Sequence, residues 1–175
     1  DSLKNILKAV DLKKNFPPYV KLHLEIIAGL NDKRNLKKLI KKYWSLNPSS
    51  LLRSIIIKIL NDNDLTETKF INEIINNNAR EEESKKLLIY FAIKNSNWDV
   101  ARKNISGMIG VNPSKEICYF MSDIELGENN DKQKSDAWIM RAENASIEDT
   151  WICRISNQTQ DEWSALSNSG NYNSL

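Results

Sequence analysis

The segment NWDVARKNISGMIGVNP, at residues 97–113, decides the fold. Asn97 begins a turn, Ala101 is a small residue where two paired helices can approach closely, and Ile105 follows on the same helical face. Pro113 ends the segment, because proline cannot continue a helix. The segment therefore predicts the second helix of an antiparallel helix pair.

The same order of residues recurs once upstream and once downstream. Pro48 and Pro113 lie 65 residues apart, which is close to twice the roughly 34-residue period of a tetratricopeptide repeat. We therefore predict an all-α fold, a tetratricopeptide-like α-solenoid of stacked antiparallel helix pairs. The upstream copy runs Asp32, Leu36, Ile40, Tyr43 and Pro48, and the downstream copy runs Asp131, Ser135, Ile139 and Ala142.

Apolar residues spaced three and four apart continue this pattern over residues 1–149, which we predict to hold the helical repeats. The composition agrees, since five Gly and four Pro in 175 residues are fewer turn residues than β-rich folds need. The predicted helices cover approximately residues 3–15, 19–30, 33–46, 51–60, 65–77, 82–94, 100–109, 116–126 and 132–145.

Residues 150–175 follow a different pattern. Trp151, Cys153 and Ile155 alternate at period two, and residues 158–161 supply a polar turn. This pattern predicts a small hairpin-like cap packed on the last repeat. The alternation resumes at Trp163 and Ala165.

Charge is divided unevenly along the chain, although the net charge is only +2. Residues 1–60 hold 13 Lys and Arg against 4 Asp and Glu, whereas residues 61–175 hold 12 against 19. The first third thus carries +9 and the remainder −7. This polarity indicates an anionic partner or an anionic membrane surface near the N-terminal third.

Much of the positive charge falls on one face of the helix predicted at residues 33–46. This basic face either docks anionic lipid, docks an acidic partner, or is only a solvated helix face. Its members are Lys33, Arg34, Lys37, Lys38, Lys41 and Lys42.

Metal binding and membrane spanning are both disfavoured. Cys118, Cys153 and His23 are the only Cys and His residues, so they cannot form a four-ligand zinc site by themselves. We expect no metal and no cofactor, a reducing compartment, and a structural role for Cys118 inside an apolar helix. The longest apolar run, residues 87–93, has seven residues, against about 20 for a membrane helix.

Three stretches together resemble the C-terminal part of the HemY family, membrane-anchored bacterial tetratricopeptide proteins associated with a late stage of protohaem synthesis. The first is KKLIKKYWSLNP at residues 37–48, which resembles a basic, Trp-containing helix that ends in Pro. The second is the WDVAR turn at residues 98–102. The third comprises CYFMSDIE at 118–125, Asp131, WIMRA at 138–142 and WIC at 151–153, followed by Glu162-Trp163 and Ser169-Gly170.

The resemblance implies a non-catalytic protein-protein interaction scaffold that organises haem-synthesis enzymes. It also implies an N-terminal pair of membrane helices, absent from this chain, that would hold the domain at the cytoplasmic face of the bacterial inner membrane. The start at Asp1, without Met, fits a fragment of a longer protein. Alternative functions are a general adaptor for other envelope proteins and a tetrapyrrole carrier.

Some tetratricopeptide relatives end in a four-cysteine metal knuckle whose first pair is spaced like Cys153 and Ser156. Only Cys153 is a thiol here, so the resemblance does not transfer metal binding. We also expect no enzyme activity, because no carboxylate pair, activated nucleophile or phosphate-binding loop stands out in the sequence.

The predicted binding site is the concave groove of the solenoid. If the first helix of each repeat lines it, a mixture of charged side chains and amphipathic rings faces a peptide or a partner helix. We expect protein partners and no nucleic acid. The predicted groove residues are Lys21, Glu25, Lys86, Tyr90, Tyr119 and Asp123.

Overall fold

The computed structural model describes residues 2–13, 16–145, 151–160, 164 and 166–171. Within them the chain forms nine α-helices and one pair of two-residue strands, which confirms the all-α prediction. Short 3-10 turns continue α5 over Asn76–Asn78 and α7 over Ser106–Met108. The helices are α1 Ser2–Leu12, α2 Pro17–Gly29, α3 Lys33–Leu46, α4 Ser50–Asp62, α5 Thr68–Ile75, α6 Glu82–Lys94, α7 Trp98–Ile105, α8 Lys115–Asn129 and α9 Lys132–Glu143.

Four turns, which join α2 to α3, α4 to α5, α6 to α7 and α8 to α9, share one backbone feature. Each contains a residue with positive φ: Asn31 at 58°, Asp64 at 54°, Ser96 at 55° and Asn130 at 52°. A left-handed residue at the end of a helix reverses the chain sharply and satisfies the last carbonyl groups. The repeated turn therefore divides residues 17–143 into four helix pairs.

The second helix of three of these pairs begins with a capping side chain that the sequence pattern located. Asp32 accepts a hydrogen bond from the backbone N–H of Asn35 at 3.0 Å, and Asp131 accepts one from Lys134 at 3.0 Å. Asn97 caps α7 in the same way, through the N–H of Val100 at 3.4 Å. Such caps satisfy N–H groups that the first turn of a helix leaves unpaired.

Two of the first helices also begin with a cap, directly after the predicted stop residues Pro48 and Pro113. Ser49 accepts a hydrogen bond from the N–H of Leu52 and starts α4, and Ser114 starts α8 in the same manner. Proline therefore ends one segment, and the serine that follows it begins the next helix.

Contacts between helices follow chain order among the described residues. The first helices of the four pairs pack in a row, α2 against α4, α4 against α6, and α6 against α8. On the other side α3 packs against α5, and α1 packs against α2. Each larger contact joins helices that are neighbours or next neighbours in the chain.

The apolar core has two parts that meet at α6. Trp44, Ile56 and Leu87 belong to the first part, which α1 to α6 build. Ala101 and Ile105 belong to the second part, which α6 to α8 build, and both are fully buried as predicted. Helix α6 faces both parts, so its burial on two sides makes it the centre of the fold.

The inward assignment of Ile139 on α9 is wrong. Its side chain is 40% exposed, whereas Ser135 and Ala142 of the same helix are buried as predicted. Helix α9 is the last helix that the structure describes, and its described contacts are made with α8. The exposure of Ile139 shows that its face of α9 is not covered by another element within the described residues.

The tail forms an antiparallel strand pair, but its turn lies earlier than predicted. Trp151 pairs with Gln160 and Ile152 with Thr159, so Gln160 is in strand β2 (Thr159–Gln160) and not in a turn. The connection is closed by hydrogen bonds from Cys153 N–H to the Gln158 carbonyl and from Asn157 N–H to the Cys153 carbonyl. Ile155 lies within this connection, and Trp163 and Ala165 lie outside the described residues.

Gly127 provides a test of how α7 packs on α8. A Cβ atom there would lie 2.3 Å from Cη2 of Trp98, whereas a Cβ at Gly29 would meet nothing within 4 Å. Both glycines are helical, so without a clash alanine would stabilise either position by about 0.5–1 kcal/mol. We expect Gly127→Ala to destabilise the fold by about 1–3 kcal/mol in urea unfolding, and Gly29→Ala to be neutral or stabilising. Equal effects at both positions would contradict the packing.

Candidate interaction surface

Five of the six predicted groove residues have accessible side chains, and they lie on the first helices of the helix pairs. Glu25 on α2 and Tyr119 and Asp123 on α8 are exposed, while Lys21 on α2 and Tyr90 on α6 are half-buried. We call these five residues the groove surface. They lie on helices of one row, because α4 connects α2 to α6 and α6 contacts α8.

The sixth predicted residue, Lys86, is not part of the accessible surface. It is only 3% exposed, and its Nζ lies 3.0 Å from Glu82, 3.5 Å from Glu83 and 3.7 Å from Glu116. The assignment of Lys86 to partner binding is therefore wrong. Its charge is neutralised inside the protein, because a buried ammonium group requires nearby carboxylates.

Arg53 of α4 holds the centre of the same ionic cluster. Its Nε donates to Glu83 of α6 at 2.8 Å, and its Nη2 donates to Glu116 of α8 at 2.7 Å. Nη1 also contacts Glu116, so the arginine binds that carboxylate in a bidentate manner, through two nitrogens. Burial alone would lower the pKa of Arg53, but the hydrogen bonds and charges of Glu116 and Glu83 raise it.

The opposite ends of α4 and α6 are joined by a polar contact. Asn61, near the end of α4, donates from Nδ2 to the Tyr90 hydroxyl at 3.1 Å and accepts from Lys94, the last residue of α6. Since Arg53 and Glu83 join the beginnings of these helices, α4 and α6 run parallel. Tyr90 is therefore held in place while its ring remains half-exposed.

The α8 part of the groove surface is the more accessible part. Tyr119 is 44% exposed, and the Nζ of Lys115 lies 5.9 Å from the centre of its ring. Surrounding protein atoms raise the pKa of Asp123 through desolvation, although its side chain remains exposed.

The structure divides the predicted basic face of α3 into two parts. Lys41 pairs with Glu73 of α5 at 3.0 Å and Lys37 with Glu67 at 3.5 Å, and Lys37 also lies 4.8 Å from the Phe70 ring centre. The other four side chains are exposed, and no ion pair is described for them within the part of the chain that the structure covers. These four are Lys33, Arg34, Lys38 and Lys42.

A second ionic cluster joins α7 to α8, and the sequence analysis did not identify it. Arg102 Nη1 donates to the buried Glu125 at 3.2 Å, and Nε donates to Glu128 at 2.5 Å. The hydrogen bond to Glu125 is the largest cause that raises the pKa of Arg102. The spacing of Glu125 and Glu128 on one face of α8 could have indicated a basic partner.

Both cysteine thiols are buried. Burial raises the pKa of Cys118, which disfavours its thiolate form. The Cys153 sulfur accepts a hydrogen bond from the Ser156 backbone N–H at 3.4 Å and from Asn171 Nδ2 at 3.6 Å. Both cysteines therefore occupy structural positions in the described chain.

The described residues contain no group of three or more His, Cys, Asp or Glu side chains that could hold a metal ion. Among the same residues, no helix has the length and apolar character needed to cross a bilayer. Comparison with known protein families, curated proteins and solved structures gave no match to this chain.

Removing the arginine tests the ionic cluster. Arg53→Met would leave Glu83 and Glu116 facing each other with Lys86 alone, and breaking a buried pair in this way costs about 3 kcal/mol. Lys41→Met, which breaks the exposed pair with Glu73, is the matched control and should cost about 0–1 kcal/mol. Chemical denaturation measures both values, and a similar cost for the two variants would contradict a central role of Arg53.

His23 is a buried titratable group in the core beneath α3. Its Nδ1 lies 2.6 Å from the Tyr43 hydroxyl, and burial, followed by the charge of Lys42, lowers its pKa. His23 therefore binds a proton more readily in the unfolded chain than in the folded protein. The contribution of the neutral, buried imidazole to the free energy of unfolding is fully present above the ordinary histidine pKa of about 6.5. It is lost as the pH falls below that value.

Because His23 is the only histidine, its titration can be isolated. We expect the free energy of unfolding to fall with decreasing pH below about 6.5 at up to about 1.4 kcal/mol per pH unit, and the slope to be smaller in His23→Gln. Urea denaturation of both proteins at several pH values measures the difference. Identical slopes would contradict a lowered pKa for His23.

Proposed function

We propose that the chain is a non-catalytic tetratricopeptide-like α-solenoid that binds protein segments on the groove surface. The four repeated turns and the row formed by α2, α4, α6 and α8 support this arrangement. In such folds each helix pair contacts only its neighbours, and the row of first helices presents a continuous surface.

The observation that carries the binding proposal is the accessibility of Tyr119 and Asp123 on α8, which packs against α6, the helix of the half-buried Tyr90. Tyrosine supplies a large amphipathic contact area with little conformational entropy to lose, and it is enriched where proteins bind one another. Asp123 and Glu25 add negative charge to the same surface. A partner helix or extended segment that carries both apolar and basic side chains would match it.

Structural roles of the reactive side chains support a non-catalytic function. Glu83 and Glu116 are engaged with Arg53 and Lys86, and Cys118 is a buried thiol with a raised pKa. General acid-base and nucleophilic catalysis require such groups to reach a substrate in the correct protonation state. The charged side chains at this site instead connect three helices.

The partner we propose is an enzyme of a late step of protohaem synthesis. This step rests on the resemblance of residues 37–48, 98–102 and 118–153 to the HemY family. The same resemblance supports attachment to the bacterial inner membrane through a segment outside this chain, with the repeats on the cytoplasmic side. A general adaptor for other envelope proteins is the alternative function, and a tetrapyrrole carrier is a further one.

Affinity capture tests the groove. The protein is used as bait for detergent-solubilised membranes of its source organism, and the retained proteins are identified by mass spectrometry. We expect Tyr119→Ser combined with Asp123→Asn to reduce capture at least tenfold, because removing one central aromatic contact costs about 2 kcal/mol or more. Lys103→Ser combined with Asp136→Asn, at exposed positions on α7 and α9, is the matched control.

Each outcome of the capture separates one function from another. Enrichment of late haem-synthesis enzymes that depends on Tyr119 and Asp123 supports the proposed scaffold. Enrichment of other envelope proteins supports the adaptor, and capture that is equal for both variants contradicts the groove. A saturable shift of the Soret absorbance on addition of haem to the purified protein would support the tetrapyrrole carrier instead.

A further inference from the structure

The outer face of α3 carries three cations in line. Arg34, Lys38 and Lys42 are spaced four residues apart, which places them along one side of the helix over a length of about 12 Å. All three side chains are exposed, and the buried residues of α3 lie on its other side. We call these three residues the basic stripe.

The acidic groups that cap α3 or face it from α5 are already engaged with other partners, whereas no ion pair is described for Asp11 of α1, which lies near Tyr43. Glu67, which directly precedes α5, pairs with Lys37, and Glu73 of α5 pairs with Lys41. Asp32 accepts the hydrogen bond that caps α3. The carboxylates that could neutralise the basic stripe from its own helix or from α5 are thus committed, and the stripe retains its positive charge.

Helix α1 extends the same chemistry. Lys4 and Lys8 are exposed and lie one turn apart, opposite the buried Ile6 and Val10. Asp11 lies close enough to Tyr43 that its charge contributes to raising the pKa of that phenol. Ile6 and Val10 of α1 and Tyr43 of α3 also belong to the same buried apolar cluster. The exposed cations of both helices therefore lie on the outside of one part of the core.

Exposed leucines accompany these cations. Leu7 on α1 is 43% exposed, Leu12 at its end is 85% exposed, and Leu46 at the end of α3 is 51% exposed. Cations beside exposed aliphatic side chains are the combination that binds a bilayer interface, where lysine and arginine attract anionic headgroups and leucines enter the acyl boundary. An acidic protein or a nucleic acid would use the cations but would gain little from isolated leucines.

We propose that the basic stripe, together with Lys4, Lys8 and Leu12, binds the surface of a membrane that contains anionic lipid. Residues 1–60 carry an excess of positive charge that supplies long-range attraction to an anionic surface. Part of this excess is neutralised, because Arg53, Lys37 and Lys41 pair with glutamates beyond residue 60. Contact through the basic stripe does not involve the groove surface, so the inference stands independently of the proposed partner.

Sedimentation with lipid vesicles tests this inference. The probes are vesicles of phosphatidylcholine alone and of phosphatidylcholine mixed with phosphatidylglycerol, each at low and at high salt. We expect binding to the mixed vesicles only, and weaker binding at high salt because exposed charges are screened. Equal binding to both kinds of vesicle, or no binding to either, would overturn the proposal.

Substitutions locate the binding residues. Each cation contributes about fivefold to the affinity for an anionic surface, so Arg34→Gln, Lys38→Gln and Lys42→Gln together should weaken binding by on the order of 100-fold. The control removes the same charge elsewhere, through Lys58→Gln, Lys103→Gln and Lys132→Gln at exposed positions. Equal losses in the two triple variants would mean that net charge alone is responsible and would overturn a defined stripe.

The leucine distinguishes a membrane from another polyanion. Leu12→Ser changes a largely exposed side chain, so the fold should be unaffected, and we expect roughly three- to tenfold weaker vesicle binding. The protein could instead bind polyglutamate or duplex DNA more tightly than mixed vesicles, with no effect of Leu12→Ser. That result would assign the stripe to an acidic protein or to a nucleic acid. Either assignment would overturn the lipid proposal.

Discussion

The bidentate grip of Arg53 on Glu116, together with its hydrogen bond to Glu83, is the interaction on which the described row of helices depends most. It joins α4, α6 and α8 through one side chain that is only 4% exposed. Apolar contacts supply most of the favourable free energy of folding, but they tolerate sliding between helices. A guanidinium that must satisfy two carboxylates tolerates little displacement, because an unpaired buried charge is costly. The ionic cluster therefore sets how the first helices align, and with them Tyr90, Tyr119 and Asp123.

The turns within the helix pairs impose a second constraint. A positive φ at Asn31, Asp64, Ser96 and Asn130 directs the chain back along the helix that it has just completed. Asparagine and aspartate accept this conformation more readily than most side chains, and only Ser96 departs from that preference. The local geometry of each pair is thus set within a few residues, whereas the alignment between pairs requires contacts such as those of Arg53.

The difference between the local geometry of a helix pair and the alignment between pairs explains which features could be predicted from the sequence. Helix positions depend on local patterns, and so do the turns predicted before the second helices, where Asp32, Asn97 and Asp131 act as caps; the helical segments are confirmed. Lys86 is misassigned because its burial depends on the packing of α6 against α4 and α8. Its pairs with Glu82 and Glu83 are local to α6, whereas its contact with Glu116 of α8 joins residues 30 apart in the sequence. The exposure of Ile139 likewise depends on which element covers α9, and periodicity within α9 contains no information about its neighbours. Both errors concern tertiary contacts that helical periodicity does not encode.

Neutralisation of Arg53 and Lys86 by the protein's own glutamates also affects how the charge of the groove surface differs from that of the basic stripe. Two cations that would otherwise attract anionic ligands to the row of first helices are matched there by Glu82, Glu83 and Glu116. The groove surface is left with Lys21 against Glu25 and Asp123, so its tyrosines carry more of any recognition than its charges do. Free positive charge lies instead on the outer side of α3. The described chain thus has two chemically different exposed surfaces, one with tyrosines and a small excess of carboxylates and one basic, and the two proposals rest on this difference.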